Sequence, residues 1–323
     1  MRLTLALFIC GLLILLCVIS EVSIRTYQKL VRNVPFFRSA VDYYDRELGW
    51  KGKKVFGDIS TAKYKIFFIG DSFTEGCGVD EEDMYYNIIV KNLNAEAFVY
   101  GGPGYGTLQE YMVLDRYIDE IKPDLIVLQV CSNDFINNLW ELESASFYNN
   151  DLMTRPYFIN GRIEYRFPKF PWKLRVFLYS HSRLIYLLGY SLDRFLVELC
   201  KKGFLHSVDE DIITKGMDVD DFKKAVDVTD TLIKKMKERA RQVPIVAFTV
   251  NGNRNYLEQF RIIFQENGIE FIEYVQEEIL KESIKGVKVY SEQQTHWNET
   301  GHRICGELLS KRLQQRVIKN KRR

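Results

Sequence analysis

The chain has 323 residues, 46% of them apolar and 27% charged, with a formal net charge of +2. Such a chain is globular rather than disordered, and its length suits one α/β domain with an insertion. The near-balanced charge excludes any argument for nucleic acid as the main partner. Residues 3–20 carry no charge and reach the lower edge of a membrane span. No small-x-small cleavage pattern comes after them, and Leu16 before Cys17 does not suit a lipoprotein site. Residues 1–20 are therefore expected to stay attached as a transmembrane anchor rather than leave as a signal peptide. Arg25, Lys29 and Arg32 outnumber Arg2, which by the positive-inside rule argues against export of the downstream chain.

Residues 21–60 read as a membrane-proximal connector, with Tyr43, Tyr44, Leu48 and Trp50 packing on the next domain, 61–318. Within that domain, short apolar runs predict strands at 64–70, 97–100, 124–130, 244–250 and 269–274. Helical patterns lie between and after them at 84–94, 107–120, 221–241, 254–267 and 299–317, with Asn267-Gly268 as a helix stop. Strands alternating with helices predict a parallel sheet covered on both faces. Residues 136–205 break the pattern and are rich in Tyr and Phe. They read as a lid or substrate wall, as an extra helical layer, or as aromatics at a membrane interface. The six Cys have no metal or redox spacing, so buried thiols are expected, with a disulfide open to an exported domain. Residues 319–323 form a basic tail, solvated or against anionic lipid.

Three segments carry chemistry. The first strand ends in Gly70-Asp71-Ser72-Phe73-Thr74-Glu75-Gly76, which places Ser72 at the carboxyl end of a strand, where open α/β sheets bind ligands. Ser72 there reads either as a nucleophile or as the cap of the next helix. Residues 101–107, Gly-Gly-Pro-Gly-Tyr-Gly-Thr, can aim a backbone N–H at a developing oxyanion. They lack the Lys-Ser/Thr of a P-loop and the spacing of a dinucleotide loop. Asn133 comes after the 124–130 strand and reads as an amide donor to the same oxyanion or as a turn residue. His296 stands in a polar loop before the last helix, free to turn towards a strand end. For His302, at the start of that helix, a packing role is the reading kept.

Taken in order, GDSFTEG, GGPGYGT, SND and THWNETGH resemble the motifs of the SGNH, or GDSL-type, hydrolase family, over roughly residues 64–135 and 244–315. The resemblance implies a flavodoxin-like three-layer α/β/α fold around a five-stranded parallel sheet. It implies that Ser72 is the nucleophile of a serine esterase and His296 its base. The oxyanion donors would be the backbone N–H groups of Ser72 and Gly104 and the Asn133 amide. Asp71 would support the turn. The family places an Asp three residues before the His; this chain has Gln293 there, so Gln293, Glu292 or a backbone carbonyl is left to hold the ring. No metal or organic cofactor is implied. Anchored extracytoplasmic relatives favour export, and with it an O-acylated, for instance acetylated, envelope glycan or glycolipid as substrate. The same site suits O-acyl transfer, and Gln293 suits a catalytically degenerate module that binds a glycan or a partner.

Overall fold

The apolar run at 64–70 becomes the middle of a sheet. A computed structural model of the chain describes residues 2–32, 36, 45–149, 154–166, 172–250, 252–291 and 296–320. It opens with a long helix, α1 (Arg2–Arg32), and an edge strand, β1 (Lys53–Phe56). The first crossover unit comes next as β2 (Tyr64–Gly70), α2 (Ser72–Glu75), α3 (Tyr85–Leu93) and β3 (Ala95–Gly101). After it stand α4 (Thr107–Ile121), β4 (Leu125–Val130), α5 (Asn133–Asn138) and α6 (Trp140–Ala145). The insertion then adds the strands β5 (Arg155–Ile159) and β6 (Arg162–Arg166) and the helices α7 (Trp172–His181), α8 (Arg183–Lys201) and α9 (Val208–Lys215). The chain returns to the sheet through α10 (Asp220–Ala240), β7 (Ile245–Thr249), α11 (Arg254–Glu266) and β8 (Glu270–Ile272), and ends in α12 (Val275–Ile284) and α13 (Glu299–Asn320).

The main sheet has the order β1-β3-β2-β4-β7-β8. The last five strands of that order run parallel, and β1 pairs antiparallel to β3, with Lys53 opposite Gly101. The expected three-layer α/β/α architecture is present, but the sheet has six strands rather than five. The extra one was hard to read because it is four residues long and half of it is lysine, a composition that suits a sheet edge.

Alternation along β2 sends Phe67 and Ile69 to one face, and Ile66 and Phe68 to the other. The first pair packs in a core with Leu114 of α4, Ile233 of α10 and Phe260 of α11. The second packs with Ile89 of α3, Ile279 of α12 and Leu309 of α13. Both faces of the parallel strands are thus buried, which explains why these strands read as unbroken apolar runs. The insertion is mixed: a two-stranded β5–β6 hairpin, then helices. In α1, Leu7–Val31 is long and apolar enough to cross a membrane, and none of that segment's most apolar stretch is buried. A membrane anchor and a signal sequence share that signature. None of the six cysteines, all of them among the described residues, forms a disulfide. Tyr43 and Tyr44 lie outside the described residues, while Leu48 and Trp50 are buried in the core beside β2.

Candidate active site

At the end of β2 the chain turns directly into α2. Asp71, not Ser72, caps that helix: its carboxylate accepts from Phe73 N at 2.9 Å, and its carbonyl accepts from Thr74 N and Glu75 N. Ser72 is left at the first helical position with its hydroxyl uncommitted to capping. The turn is held from the neighbouring strand. Gln129 of β4 accepts through Oε1 from Asp71 N at 3.1 Å and from Thr74 Oγ1 at 2.9 Å. Since the single hydroxyl proton of Thr74 goes to Gln129, the Tyr85 hydroxyl, 2.9 Å away, is the donor in its bond to Thr74.

His296 arrives from the other end of the chain, with Nε2 2.8 Å from Ser72 Oγ. Its loop is fastened on both sides. Ser291 N donates to His296 O at 2.8 Å, Asn298 N donates to Val289 O at 3.0 Å, and Tyr290 and Trp297 form a bridge. Asn298 then caps α13, accepting through Oδ1 from Thr300 N and Gly301 N. Trp297 is buried and donates to Gln276 at 3.2 Å, and the His296 ring leans on Phe73 at 4.9 Å. Burial holds the imidazole below its ordinary pKa of 6.5, so a neutral ring faces Ser72 at neutral pH. His302, one turn into α13, is buried beside Tyr85 and held down to about 4, consistent with a packing role. Glu292 and Gln293 lie outside the described residues.

The glycine-rich loop approaches the same turn. Gly104 sits at φ +64°, a conformation that favours glycine. Three successive carbonyls of the loop are tied down. Trp50 Nε1 donates to Pro103 O at 2.8 Å, Arg155 Nη1 donates to Gly104 O at 2.7 Å, and Asn133 Nδ2 donates to Tyr105 O at 3.0 Å. The first of these bonds matters most. Pro103 C=O and Gly104 N–H belong to one peptide plane, so Trp50 sets the direction of that N–H. Asn133 also donates to Asn137 Oδ1 at 3.1 Å, so donation to an oxyanion requires it to release one of its bonds. Trp50, Arg155, Gln109 and Gln129 had no reading as site residues. Only Trp50 gave a signal, as a large apolar residue expected to pack.

Arg155 is the hub of this support. It is 1% exposed, pairs with Glu143 at 2.7 Å, donates to Gln109 Oε1 at 2.6 Å and lies 4.5 Å over the Trp50 ring. Near the nucleophile the other buried charges are acidic. Burial pushes Asp71 up to about 6 and Glu110 and Asp134 well above the usual carboxylate range, and Asp71 and Asp134 raise Glu110 further. Both shifts favour the protonated, uncharged form of these two carboxyls. Among the described residues, no group of three or more His, Cys, Asp or Glu side chains is placed to hold a metal ion.

A strand-end Ser in contact with a neutral His, beside a glycine-rich loop, is the layout of acyl-transfer chemistry. Residues 66–156 match the family model described as GDSL-like Lipase/Acylhydrolase. The chain thus carries a GDSL-like acylhydrolase segment, as its motifs led one to expect, and that segment includes Ser72, Gly104 and Asn133. No curated protein matches. Similar solved structures include a lipolytic protein of the G-D-S-L family from Desulfitobacterium hafniense DCB-2, at 14% identity and a TM-score of 0.43, covering 76% of this chain and 98% of its own. Another is a catalytic mutant of the acetylxylan esterase Axe2 from Geobacillus stearothermophilus, at 13% identity and a TM-score of 0.41, with 78% and 94% covered. The lipase/acylhydrolase from Enterococcus faecalis has 11% identity and a TM-score of 0.40, with 78% and 96% covered.

Proposed function

We propose that the chain is a serine esterase in which Ser72 is the nucleophile and His296 the general base. The 2.8 Å contact between His296 Nε2 and Ser72 Oγ is the observation that carries this reading. Ser72 Oγ attacks an ester carbonyl carbon while its proton passes to His296 Nε2. The carbonyl oxygen becomes an oxyanion, received by the N–H groups of Ser72 and Gly104 and by the Asn133 amide. Collapse of that intermediate breaks the bond to the alkoxide, which takes the proton from His296 and leaves as an alcohol. Water then repeats the sequence on the acyl-enzyme: it gives a proton to His296, attacks, and releases the acid and a free Ser72.

The substrate we infer is an O-acylated, for instance acetylated, envelope glycan or glycolipid, met by a domain that α1 anchors outside the cytoplasm. If a sugar hydroxyl replaces water in the second half, the same groups perform O-acyl transfer. Gln293, where the family places an Asp, favours a second reading, a module that binds such a ligand without turnover.

The test is a serine-directed phosphonate with a short-chain aryl ester as reporter. The expected outcome is labelling at Ser72 and loss of ester hydrolysis in Ser72→Ala. Labelling elsewhere, or undiminished hydrolysis by Ser72→Ala, overturns the esterase reading.

A further inference from the structure

The helical part of the insertion carries apolar side chains that stand exposed among the described residues. On α8, Leu188, Leu192 and Phe195 are 62%, 56% and 59% exposed. Their spacing of four and then three residues puts them in one stripe of the helix. Leu174 and Phe177 of α7 are exposed too. A contiguous apolar surface of this kind on a folded domain marks a place of contact.

The position of α8 says with what. Its first turn is bonded to α1. Glu21 of α1 accepts from Arg183 N at 2.9 Å, from Leu184 N at 2.8 Å and from Ser182 Oγ at 2.9 Å. Arg25, paired with Glu21 at 2.6 Å, donates to His181 O at 2.8 Å. Glu21 is the first charged residue after the uncharged run 3–20. The side of α1 that carries Ser20, Glu21, Ile24, Arg25 and Gln28 is partly covered, while most of the rest of the helix is bare. The α7–α8 hairpin is thus fastened to α1 where its uncharged run 3–20 ends. A bilayer around the bare face of α1 would therefore have its boundary near the start of α8.

We propose that the stripe formed by Leu188, Leu192 and Phe195 lies in the lipid–water interface of the bilayer that α1 enters, so that α8 is an interfacial helix holding the domain against the membrane. The rest of α8 fits that setting. On the face of α8 turned away from the stripe, Tyr190 is exposed with the Arg194 guanidinium 5.9 Å over its ring, so the helix is apolar on one side and carries a polar-tipped aromatic and a long basic side chain on the other. A helix with an apolar stripe and charged flanks lies in the plane of an interface rather than across it. A second copy or a partner protein is the competing occupant, and the experiment below separates either from lipid.

The experiment uses the full chain in phosphatidylcholine nanodiscs, with plain or brominated acyl chains. Bromine quenches tryptophan only on contact, so the reading is the extra fluorescence that each added tryptophan contributes over the parent chain. In Leu192→Trp and, separately, Phe195→Trp, that increment should fall at least twofold in brominated discs. In Ile262→Trp, an exposed site on α11, it should not change. Val18→Trp, in the apolar run of α1, reports the span itself. Undiminished increments at both 192 and 195 overturn the proposal, whether water, a second copy or another protein meets the stripe. With Val18→Trp quenched, the error lies in the placement of α8; with Val18→Trp also unquenched, it lies in the placement of α1. Equal quenching at 192, 195 and 262 overturns it as well, because contact is then not confined to the stripe.

Discussion

Ser72 gains a proton acceptor only while His296 is neutral, and burial of the imidazole favours that form. A pKa lowered from 6.5 means that the base survives to lower pH than an exposed histidine would. The acid limb of kcat/KM should therefore rise with pH through a midpoint below 6.5, and a pH–rate profile reads it directly. A midpoint above 7 would point instead to a carboxylate on the ring and make Glu292 the leading candidate. Substitution asks the same question. Gln293→Asp restores a charge at the position where the family keeps one and should raise turnover by about tenfold, a barrier drop of roughly 1.4 kcal/mol. Loss of activity only in Glu292→Gln would give the orienting role to Glu292. Trp50 touches no reacting atom but holds the peptide plane whose N–H is the proposed oxyanion donor. Losing a whole oxyanion donor costs about a hundredfold or more. Trp50→Phe, which only loosens one, should lower kcat by about tenfold with KM nearly unchanged. It should also weaken a boronic acid transition-state analogue by the same factor. Equal losses in kcat/KM and in ground-state binding would show that Trp50 merely supports the fold.

At the scale of elements, β5 matters more than its place in an insertion suggests. Through Arg155 it reaches across to the glycine-rich loop, and the same guanidinium neutralises Glu143, itself 0% exposed. Removing one partner of such a pair leaves the other charged and buried. Arg155→Met should destabilise the domain by about 3 kcal/mol. Denaturant unfolding checks it, and a change under about 1 kcal/mol would mean that the pair is offset by other contacts. The strands and helices that build the sheet were legible. β2, β3, β4, β7 and β8 begin and end within three residues of their expected positions. Their apolar runs are long because both faces are buried. The elements without a clear imprint in the sequence are those with weak or mixed signals. β1 has four residues, and α12 buries only Val275, Gln276 and Ile279. The β5–β6 hairpin was readable: Asn160 and Gly161 sit between two five-residue strands with φ of 49° and 78°. That dipeptide is a strong hairpin signal. The aromatic richness of the segment masks it.

At the scale of the whole molecule, the place of the domain relative to a membrane is directly testable. The run 3–20 and the bare helix α1 lead to the expectation that the full chain stays in the membrane fraction through alkaline extraction and keeps its N-terminal segment. A mature chain beginning beyond Ser20 would remove the anchor. A reporter fused after Arg323 should be active only outside the cytoplasm; activity confined to the cytoplasm would reverse the orientation and restore the positive-inside reading of Arg25, Lys29 and Arg32. Sequence alone determined the alternation of strands and helices, the strand-end position of Ser72 and the loop position of His296. Each of these is a local pattern: a period, a turn residue, a cap. Only the tertiary structure decided which groups meet. Ser72 and His296 are 224 positions apart, Trp50 and Pro103 are 53 apart, and Gln129 lies 58 from Asp71. Such contacts arise from strand order and from how helices seat on the sheet. No periodicity in the chain encodes them, because packing joins residues by the space they share and not by their spacing in sequence.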